Sequence, residues 1–419
     1  MSLRPAALAA IALACALAIA RAGTAKAGDL EDAITALRSG DMTTAIVLLK
    51  PLAEDGVAEA QYRLGAIYRN GVGVPQEFTA ASSWFKLAAE SGYADAQNEL
   101  GRMYSTGLGV SQDGARAIEW LTKAAQQGKP THQFDLASAL EAGVSGDSDP
   151  AAAAAWYAKA HGQGLVEATA SLGLLYFEGR GVEADPARAL ELLTEAAEKG
   201  HARAQNNVGL IYARGRGVPQ DYEAAAKWFA LAAKQGLGKA MTNLGVMYEN
   251  GFGVPQDEAR ATELYRQGGR SGANDAKTTV QGTGFLYDPR LFPINPEAAD
   301  AAAMLPAAGR GDPVAMFLLG YLYSGGGKTA PDYARAAEWY RKSADSGLPA
   351  AMANLGLLYV RGLGVPQDYV YGYMWISLAA AAGLVEAIEV RDAVAASLSA
   401  DQLNEAQKLA LQQWPPVEN

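Results

Sequence analysis

Apolar and small residues recur along this chain at helical spacing, and the same arrangement returns many times. The first clear instance is Ala60, Leu64, Gly65 and Tyr68. Steps of three and four residues bring side chains to one face of an α-helix. The pattern therefore predicts an all-α chain built from short amphipathic helices.

Three sequence markers repeat in one register, which is typical of a repeat architecture. A glycine returns every 36 residues, with one step of 39: Gly56, Gly92, Gly128, Gly164, Gly200, Gly236, Gly272, Gly311, Gly347 and Gly383. A pentapeptide resembling Leu-Gly-x-x-Tyr occupies residues 64–68, 100–104, 172–176, 208–212, 244–248, 319–323 and 355–359. A tryptophan follows an acidic residue by seven positions in six places: Trp84, Trp120, Trp156, Trp228, Trp339 and Trp375. Each unit is therefore predicted to contain two helices.

A short connector separates the two helices of a unit, as in Arg-Gly-Arg-Gly-Val-Pro-Gln-Asp at residues 214–221. Its glycines tolerate positive φ, and Pro219 cannot occupy a helix interior, so the first helix must end there. Asp221 is then a suitable N-cap for the second helix. The residues that this second helix should bury are Ala225, Trp228, Phe229, Ala232 and Ala233.

These markers predict five parts of the chain. They are a signal peptide at 1–27, a half unit plus six repeats at 28–272, a degenerate repeat at 273–311, two repeats at 312–383, and closing helices at 384–419. In the last part, Ser399 and Gln402 have the spacing of a capping box, which predicts a helix to about Trp414. Such a pair suits the end of a solenoid, whose last apolar face needs a cover.

Two units depart from the pattern. The unit at 129–164 has Ala137 in place of the usual glycine. The unit at 273–311 has Gly282 and Gly284 where a helix is expected, and three prolines follow. We therefore expect a joint between two straighter segments, which proteases should cut first between Gly282 and Asn295.

The first 27 residues have the composition of a secretory signal peptide. Arg4 precedes an apolar run at residues 5–20, and small residues at 20–22 and 25–27 fit the Ala-x-Ala cleavage pattern. The run is also short for a membrane span. We therefore expect export to the periplasm and no transmembrane segment in the mature chain.

Cys15, the only cysteine, allows a second interpretation as a lipid-modified residue. The residues before it, Ala12 and Leu13, are in the wrong order for such a site, and the apolar run continues to Ala20. We therefore favour the signal peptide. Cleavage after Ala27 would leave a chain without cysteine, which must fold by burying apolar surface.

The formal net charge is −10, and removal of residues 1–27 would lower it to −13. A negative chain of this kind is a poor match for nucleic acid or an anionic membrane, because both carry negative charge themselves. We therefore expect no nucleic-acid partner.

The repeat resembles the Sel-one-like repeat family, a branch of the tetratricopeptide-like α-solenoids. The resemblance rests on the Leu-Gly-x-x-Tyr helix, the Gly-x-Gly-Val-Pro-Gln-Asp connector and the tryptophan helix, and it covers roughly residues 29–383. It implies a right-handed superhelix of about 36-residue units that binds other proteins and whose first helices line a concave groove.

Several segments have the composition of other kinds of site. Residues 369–385 carry no charge, but they lie in repeat register and are predicted to form a buried helix. Gly-Gly-Gly-Lys-Thr at 325–329 lacks the earlier glycine of a phosphate-binding loop. The Gly-x-Gly pairs lack the third glycine and the strand of a dinucleotide site. No cofactor is therefore expected.

Catalytic or metal chemistry finds little support in the sequence. Ser83 and Lys86 have the Ser-x-x-Lys spacing of penicillin-recognising enzymes, without that family's companion motifs. Three histidines, His132, His161 and His201, lack neighbouring cysteines or carboxylate clusters. We therefore expect neither a metal site nor an enzyme, although a cell-wall or β-lactam hydrolase remains the alternative hypothesis.

The residue before each Leu-Gly pair lies beside the buried stripe and varies from unit to unit. The resemblance implies that such residues face the groove, and the candidates for partner binding are Arg63, Glu99, Asn207, Asn243 and Asn354. An asparagine amide can both donate to and accept from a peptide backbone. The other interpretation is that these residues are solvated or brace neighbouring units.

The sequence therefore predicts a non-enzymatic scaffold in the bacterial envelope that binds a protein or peptide through its groove. The resemblance suggests control of a membrane sensor or of polysaccharide machinery. A purely structural assembly unit is a further alternative.

Overall fold

The computed structural model describes residues 28–272, 284–286, 301–326 and 330–414. Within these ranges the regular secondary structure is helical and contains no strand, as the pattern predicts. In chain order the helices are α1 (residues 28–39), α2 (Met42–Glu54), α3 (Ala58–Asn70), α4 (Phe78–Glu90), α5 (Ala94–Thr106), α6 (Gly114–Gln126), α7 (Pro130–Glu141), α8 (Pro150–His161), α9 (Val166–Glu178), α10 (Pro186–Glu198), α11 (Ala202–Arg214), α12 (Tyr222–Lys234), α13 (Gly238–Asn250), α14 (Glu258–Gly272), α15 (Ala301–Gly309), α16 (Pro313–Tyr321), α17 (Tyr333–Asp345), α18 (Pro349–Arg361), α19 (Tyr369–Ala381), α20 (Glu386–Ala395) and α21 (Ala400–Gln413). A π turn at Leu322–Gly326 follows α16.

The helices belong to two compact units. The first unit combines the described residues up to 96 with those from 284 onward, and the second comprises residues 97–272. Within each unit, helices that are consecutive in the chain pack against each other, as in an α-solenoid. The first helices of the repeats are α3, α5, α7, α9, α11, α13, α16 and α18, and each is followed by its second helix.

The glycine of the Leu-Gly pair lets the second helix approach the first. A Cβ atom at Gly209 would lie only 2.6 Å from the ring of Phe229 on α12. Gly65 and Gly320 have the same relation to Phe85 and Tyr340. Any larger side chain at these positions would therefore push the two helices apart.

Most of the repeat tryptophans are less buried than the sequence pattern predicts, although Trp375 is only 4 % exposed. Trp228 is only partly buried, whereas the next residue, Phe229, is 2 % exposed. Trp228 packs on the edge of a cluster that includes Val208 and Ile211 and leaves part of its ring accessible. Trp228 therefore lies on the predicted buried side but is only partly buried, and Phe229 is the fully buried aromatic residue of this helix.

The connector supplies hydrogen-bond partners for backbone groups at the C-terminal end of the first helix and at the N-terminal end of the second. Gly215 ends α11 in the left-handed region with φ of +62°. The Asp221 N–H donates to the Tyr212 carbonyl (3.0 Å), and the Gln220 side chain donates to the Ala213 carbonyl (2.8 Å). The Asp221 carboxylate accepts from the Ala224 N–H (2.9 Å) and begins α12. These bonds explain why the same residues recur in each connector. Each of them pairs with a backbone N–H or carbonyl at a helix end that has no partner within its own helix.

The degenerate unit is described only in part. Residues 273–283 and 287–300, where the joint and its protease-sensitive site are predicted, lie outside the described residues. The described part includes the non-helical stretch 284–286 and helix α15. In the unit at 129–164, Ala137 replaces the glycine and is completely buried.

The closing helices form as predicted. The Gln402 N–H donates to the Ser399 hydroxyl (3.3 Å), and the Ser399 N–H donates to the Gln402 side chain (3.0 Å), which completes a capping box. Both α20 and α21 pack against α19, which is buried from Gly372 to Ala381. The uncharged run at 369–385 therefore begins with the predicted buried helix. No helix in the described ranges combines the length and apolar character that a membrane span requires.

Candidate functional site

The Asn354 side chain forms hydrogen bonds with the backbone of the non-helical stretch 284–286. This residue lies on α18, immediately before the Leu-Gly pair, and is completely buried. Its Oδ1 accepts from the Leu286 N–H (2.7 Å), and its Nδ2 donates to the Leu286 carbonyl (2.9 Å). One amide therefore satisfies both backbone groups of one residue, a contact that does not depend on that residue's side chain.

The neighbouring Phe285 side chain lies in an aromatic and cationic surrounding. Its ring centroid is 6.4 Å from that of Tyr333 and 6.3 Å from that of Tyr340. The Arg361 guanidinium lies 5.5 Å from the same centroid, within the range of a cation–π contact. The site therefore combines two features. The Asn354 amide binds both backbone groups of Leu286, an arrangement that we call the clamp, and Tyr333, Tyr340 and Arg361 surround the adjacent aromatic side chain.

Tyr340 is completely buried, and its ring lies near that of Phe285. Its hydroxyl lies 3.0 Å from the Ser324 hydroxyl. Burial raises the pKa of Tyr340 and outweighs the opposing effects of Ser324 and Asn354. The phenol therefore stays protonated and remains a hydrogen-bond donor at neutral pH.

Asn243 has a different role, although it occupies the same register on α13. Its Nδ2 donates to Oδ1 of Asn206 on the preceding first helix, α11 (2.8 Å). The Asn98 amide donates to the Asp135 carboxylate in the equivalent arrangement (2.7 Å). At these positions the side chains brace neighbouring repeats, as the alternative interpretation proposed.

The remaining candidates stand on the first helices of their own repeats. Arg63 pairs with Glu59 on α3, at 3.0 Å from its Nε. Glu99 and Asn207 are partly buried on α5 and α11. Asn207 is followed seven residues later by Arg214, the same spacing that separates Asn354 from Arg361. Asn207 and Arg214 therefore correspond to Asn354 and Arg361, and they lie at a more accessible position.

A set of glutamines links the two helices of a repeat, a role that the repeat markers do not indicate. The Gln235 amide donates to Gln205 (2.8 Å), and Gln163 donates to Gln133 (2.9 Å). The signal was present, because an Ala-Gln pair recurs near the start of first helices at 60–61, 96–97 and 204–205. These bonds join the end of the second helix of a repeat to the first helix of the same repeat.

The histidines are used in local structure. His161 Nδ1 lies 2.9 Å from the Thr169 hydroxyl, and His201 Nδ1 accepts from the Ala204 N–H (3.1 Å) as the N-cap of α11. Burial lowers the pKa of His201, although Glu167 opposes that effect. Among the residues that the structure describes, no three His, Cys, Asp or Glu side chains cluster as a metal site would require.

The Ser-x-x-Lys pair lies on the outer surface of α4. The Ser83 hydroxyl is exposed and donates to the Thr79 carbonyl (2.9 Å). The Lys86 ammonium lies 3.9 Å from Glu90, one turn further along the helix. Both groups therefore engage their own helix.

A cavity of about 680 Å³ lies within the first unit, beside the last repeat. Trp375, Met352 and Trp414 are among its lining residues. The closing helix α21 therefore forms part of a cavity wall in addition to covering α19.

Repeated helix pairs, capped connectors and a backbone clamp on a first helix define an α-solenoid repeat protein. The family model described as Sel1 repeat matches residues 58–93, 94–129, 133–164, 166–201, 202–237, 238–272, 313–348 and 349–384. The matches cover more than half of the chain, and the chain therefore belongs to the Sel1 repeat family.

Solved structures support this assignment. The chain is 30% identical to c5321, a protective antigen of uropathogenic Escherichia coli strains with an SLR fold, over 93% of this chain and 91% of that chain, with a TM-score of 0.54. It is 29% identical to a Sel1 repeat protein from Oxalobacter formigenes, over 57% of this chain and 96% of that one, with a TM-score of 0.53. The comparison with curated proteins gave no match. Sel1 repeat solenoids are generally non-enzymatic, and the fold suggests a protein–protein interaction scaffold.

Proposed function

We propose that this protein is an envelope scaffold that binds an extended segment of a partner protein on the face of its first helices. The observation that carries the proposal is the clamp of Asn354 on both backbone groups of Leu286. A segment of the chain itself is thus already bound there in the manner expected for a partner.

Asn207 and Arg214 are the residues that we assign to partner binding in the second unit. Asn354 is completely buried beneath its own segment, whereas Asn207 retains accessible surface on α11. The amide of Asn207 would grip a backbone, and Arg214 would pack on an adjacent aromatic side chain, as Arg361 does on Phe285.

Charge should influence which partner binds. The chain carries a formal net charge of −10, which favours encounter with basic segments and disfavours acidic ones. Affinity should therefore fall as salt is added, because ions screen exposed charges beyond about 8–10 Å near physiological ionic strength.

Location in the envelope rests on residues 1–27, whose composition is that of a signal peptide. The similar protein c5321 is described as a protective antigen, which also fits an exported protein. Fractionation of the source cells, with mass spectrometry of the mature N-terminus, tests this part. A cytoplasmic protein that retains residues 1–27 would contradict it.

Crosslinking capture from envelope extract, with the mature chain as bait, tests the binding function. We expect one stoichiometric protein partner, with affinity reduced about tenfold by Asn207→Ala, because lost hydrogen bonds to backbone groups cost about 1–3 kcal/mol. Asn243→Ala is the matched control, since that side chain braces Asn206. Equal capture by both variants, or retention on cell-wall material without a protein partner, would contradict the proposal.

A further inference from the structure

The connector of the first repeat, residues 70–77, is a site at which an arginine is bound. Arg391 on α20 is 2 % exposed, and its Nη1 donates to the carbonyls of Asn70 (2.8 Å) and Gly71 (3.4 Å). These carbonyls lie at the C-terminal end of α3, where the helix dipole places negative partial charge. The guanidinium also donates through Nε to the Asp392 carboxylate (2.9 Å), so the buried charge is compensated.

Helices α19 and α21 make further contacts with this connector and with the start of α4. The Tyr373 hydroxyl donates to Oε1 of Gln76, and the Phe78 N–H donates to Oε1 of Gln407 (3.4 Å). Gln76 and Phe78 are buried as a result. The first connector is therefore covered by helices from the other end of the chain, within the first compact unit.

The connector at residues 250–257 repeats the same structure, and no helix within the described ranges covers its turn. Its sequence is Asn-Gly-Phe-Gly-Val-Pro-Gln-Asp, against Asn-Gly-Val-Gly-Val-Pro-Gln-Glu at 70–77. Gly251 ends α13 at φ of +65°, close to the +61° of Gly71. Gln256 donates to the Glu249 carbonyl (3.0 Å) as Gln76 does to that of Arg69 (2.8 Å). Its turn residues are exposed, so the carbonyl end of α13 is accessible.

The surroundings of this second connector favour a cation more than those of the first. Glu249, Asp257 and Glu258 flank it, together with Arg260, whose guanidinium lies 4.5 Å from the Tyr248 ring centroid; Arg69 and Glu77 flank the first connector. Phe252 is 38% exposed and stacks on Tyr222 at 4.7 Å, which provides an apolar platform for a docking helix.

We propose that the connector at 250–257 binds an arginine presented on an α-helix of a partner protein. The bound arginine would donate to the carbonyls of Asn250 and Gly251, in the way Arg391 donates to those of Asn70 and Gly71. This surface involves neither Asn207 nor Arg214, so the inference is independent of the function proposed above. The connector at 214–221 is excluded as a similar site because Arg214 and Arg216 would repel the incoming charge.

The test uses a stapled helical peptide with the sequence of residues 386–397, which contains Arg391. The staple joins the positions of Glu389 and Ala393, on the helix face away from the arginine, and the position of Val390 carries a photoreactive group. The full chain is titrated with this peptide, and crosslinks are mapped by mass spectrometry. We expect crosslinks at residues 249–258, and at least about a tenfold weaker interaction when the peptide carries Arg391→Gln.

Two chain variants separate the site from general charge attraction. Phe252→Arg places a positive charge at the connector, as Arg216 does naturally at the equivalent position, and should abolish peptide binding. Leu363→Arg adds the same charge at that position of another connector and should leave binding intact. The proposal is overturned if the Gln peptide binds equally well, if crosslinks occur only at 70–78, or if millimolar peptide does not bind.

Discussion

In four repeats a buried aromatic ring follows a partly exposed tryptophan: Phe85, Tyr157, Phe229 and Tyr340 follow Trp84, Trp156, Trp228 and Trp339. Phe229 fills the space that Gly209 leaves open, at a distance that no Cβ could tolerate. Trp228 instead covers the edge of the neighbouring cluster. Stability should therefore depend more on the smaller ring than on the larger one.

Replacement of Phe229 by Ala should destabilise the protein by about 3–5 kcal/mol, because a buried aromatic side chain leaves a cavity. Trp228→Ala should cost less, since part of that ring already contacts water. Urea unfolding followed by circular dichroism measures both. A larger loss for Trp228→Ala would show that the assigned packing is wrong.

At the scale of the element, each helix depends on the group that caps it. Most second helices use the connector aspartate, such as Asp221 for α12. Helix α11 is instead capped by His201, whose ring nitrogen can accept only while it is unprotonated. Helix α11 therefore has a cap that is lost in the pH range where histidine titrates, well above that of the aspartate caps.

We expect α11 to lose stability as the pH falls below about 6.5, the ordinary value for histidine. Burial lowers the pKa of His201, so the unfolded chain takes up the proton first and folding is opposed at acid pH. The contribution is complete above the unfolded-state pKa and disappears as the pH falls toward the folded-state pKa.

Hydrogen exchange of α11 at about pH 7.5 and about pH 5 measures this effect, after correction for the intrinsic exchange rate. His201→Asn is the matched variant, because asparagine is also a good N-cap and does not titrate. Wild type should lose protection at the lower pH more than the variant. Identical losses would assign the pH dependence to other groups.

At the scale of the whole molecule, the repeat architecture could be predicted from sequence because its signals are local. The glycine markers of successive units lie 36 residues apart, or 39 at one step, and each has a backbone or packing role. The register of Asn354 was predicted for the same reason. The segment that Asn354 binds was not, because Leu286 lies 68 residues away in the unit that fits the repeat worst.

The contact of Arg391 with Asn70 was also beyond prediction. These residues are 321 positions apart in the sequence, and no sequence pattern in either segment indicates that the two come into contact. Burial of Trp228 was overestimated because periodicity identifies a face but not how deeply each position lies within it. Accessible surface depends on the neighbouring repeat as well.

Arg391→Gln should raise hydrogen exchange at residues 70–78, far away in sequence, because the carbonyls of Asn70 and Gly71 lose their charged partner. Contacts in a simple solenoid are local, so this response would be unusual for the architecture. Lys408→Gln, an exposed change on α21, is the control and should leave residues 70–78 protected. Exchange unaffected by Arg391→Gln would disprove the contact in solution.

The most direct test of the central claim is the exchange rate of one amide, that of Leu286. If an asparagine in this register grips an extended backbone, the Leu286 N–H is protected in the wild type. The rate should rise at least about tenfold in Asn354→Ala and remain unchanged in Asn207→Ala. Electron-transfer fragmentation after deuterium labelling gives the required single-residue resolution. A Leu286 amide that exchanges freely in the wild type would contradict the clamp and the binding mode inferred from it.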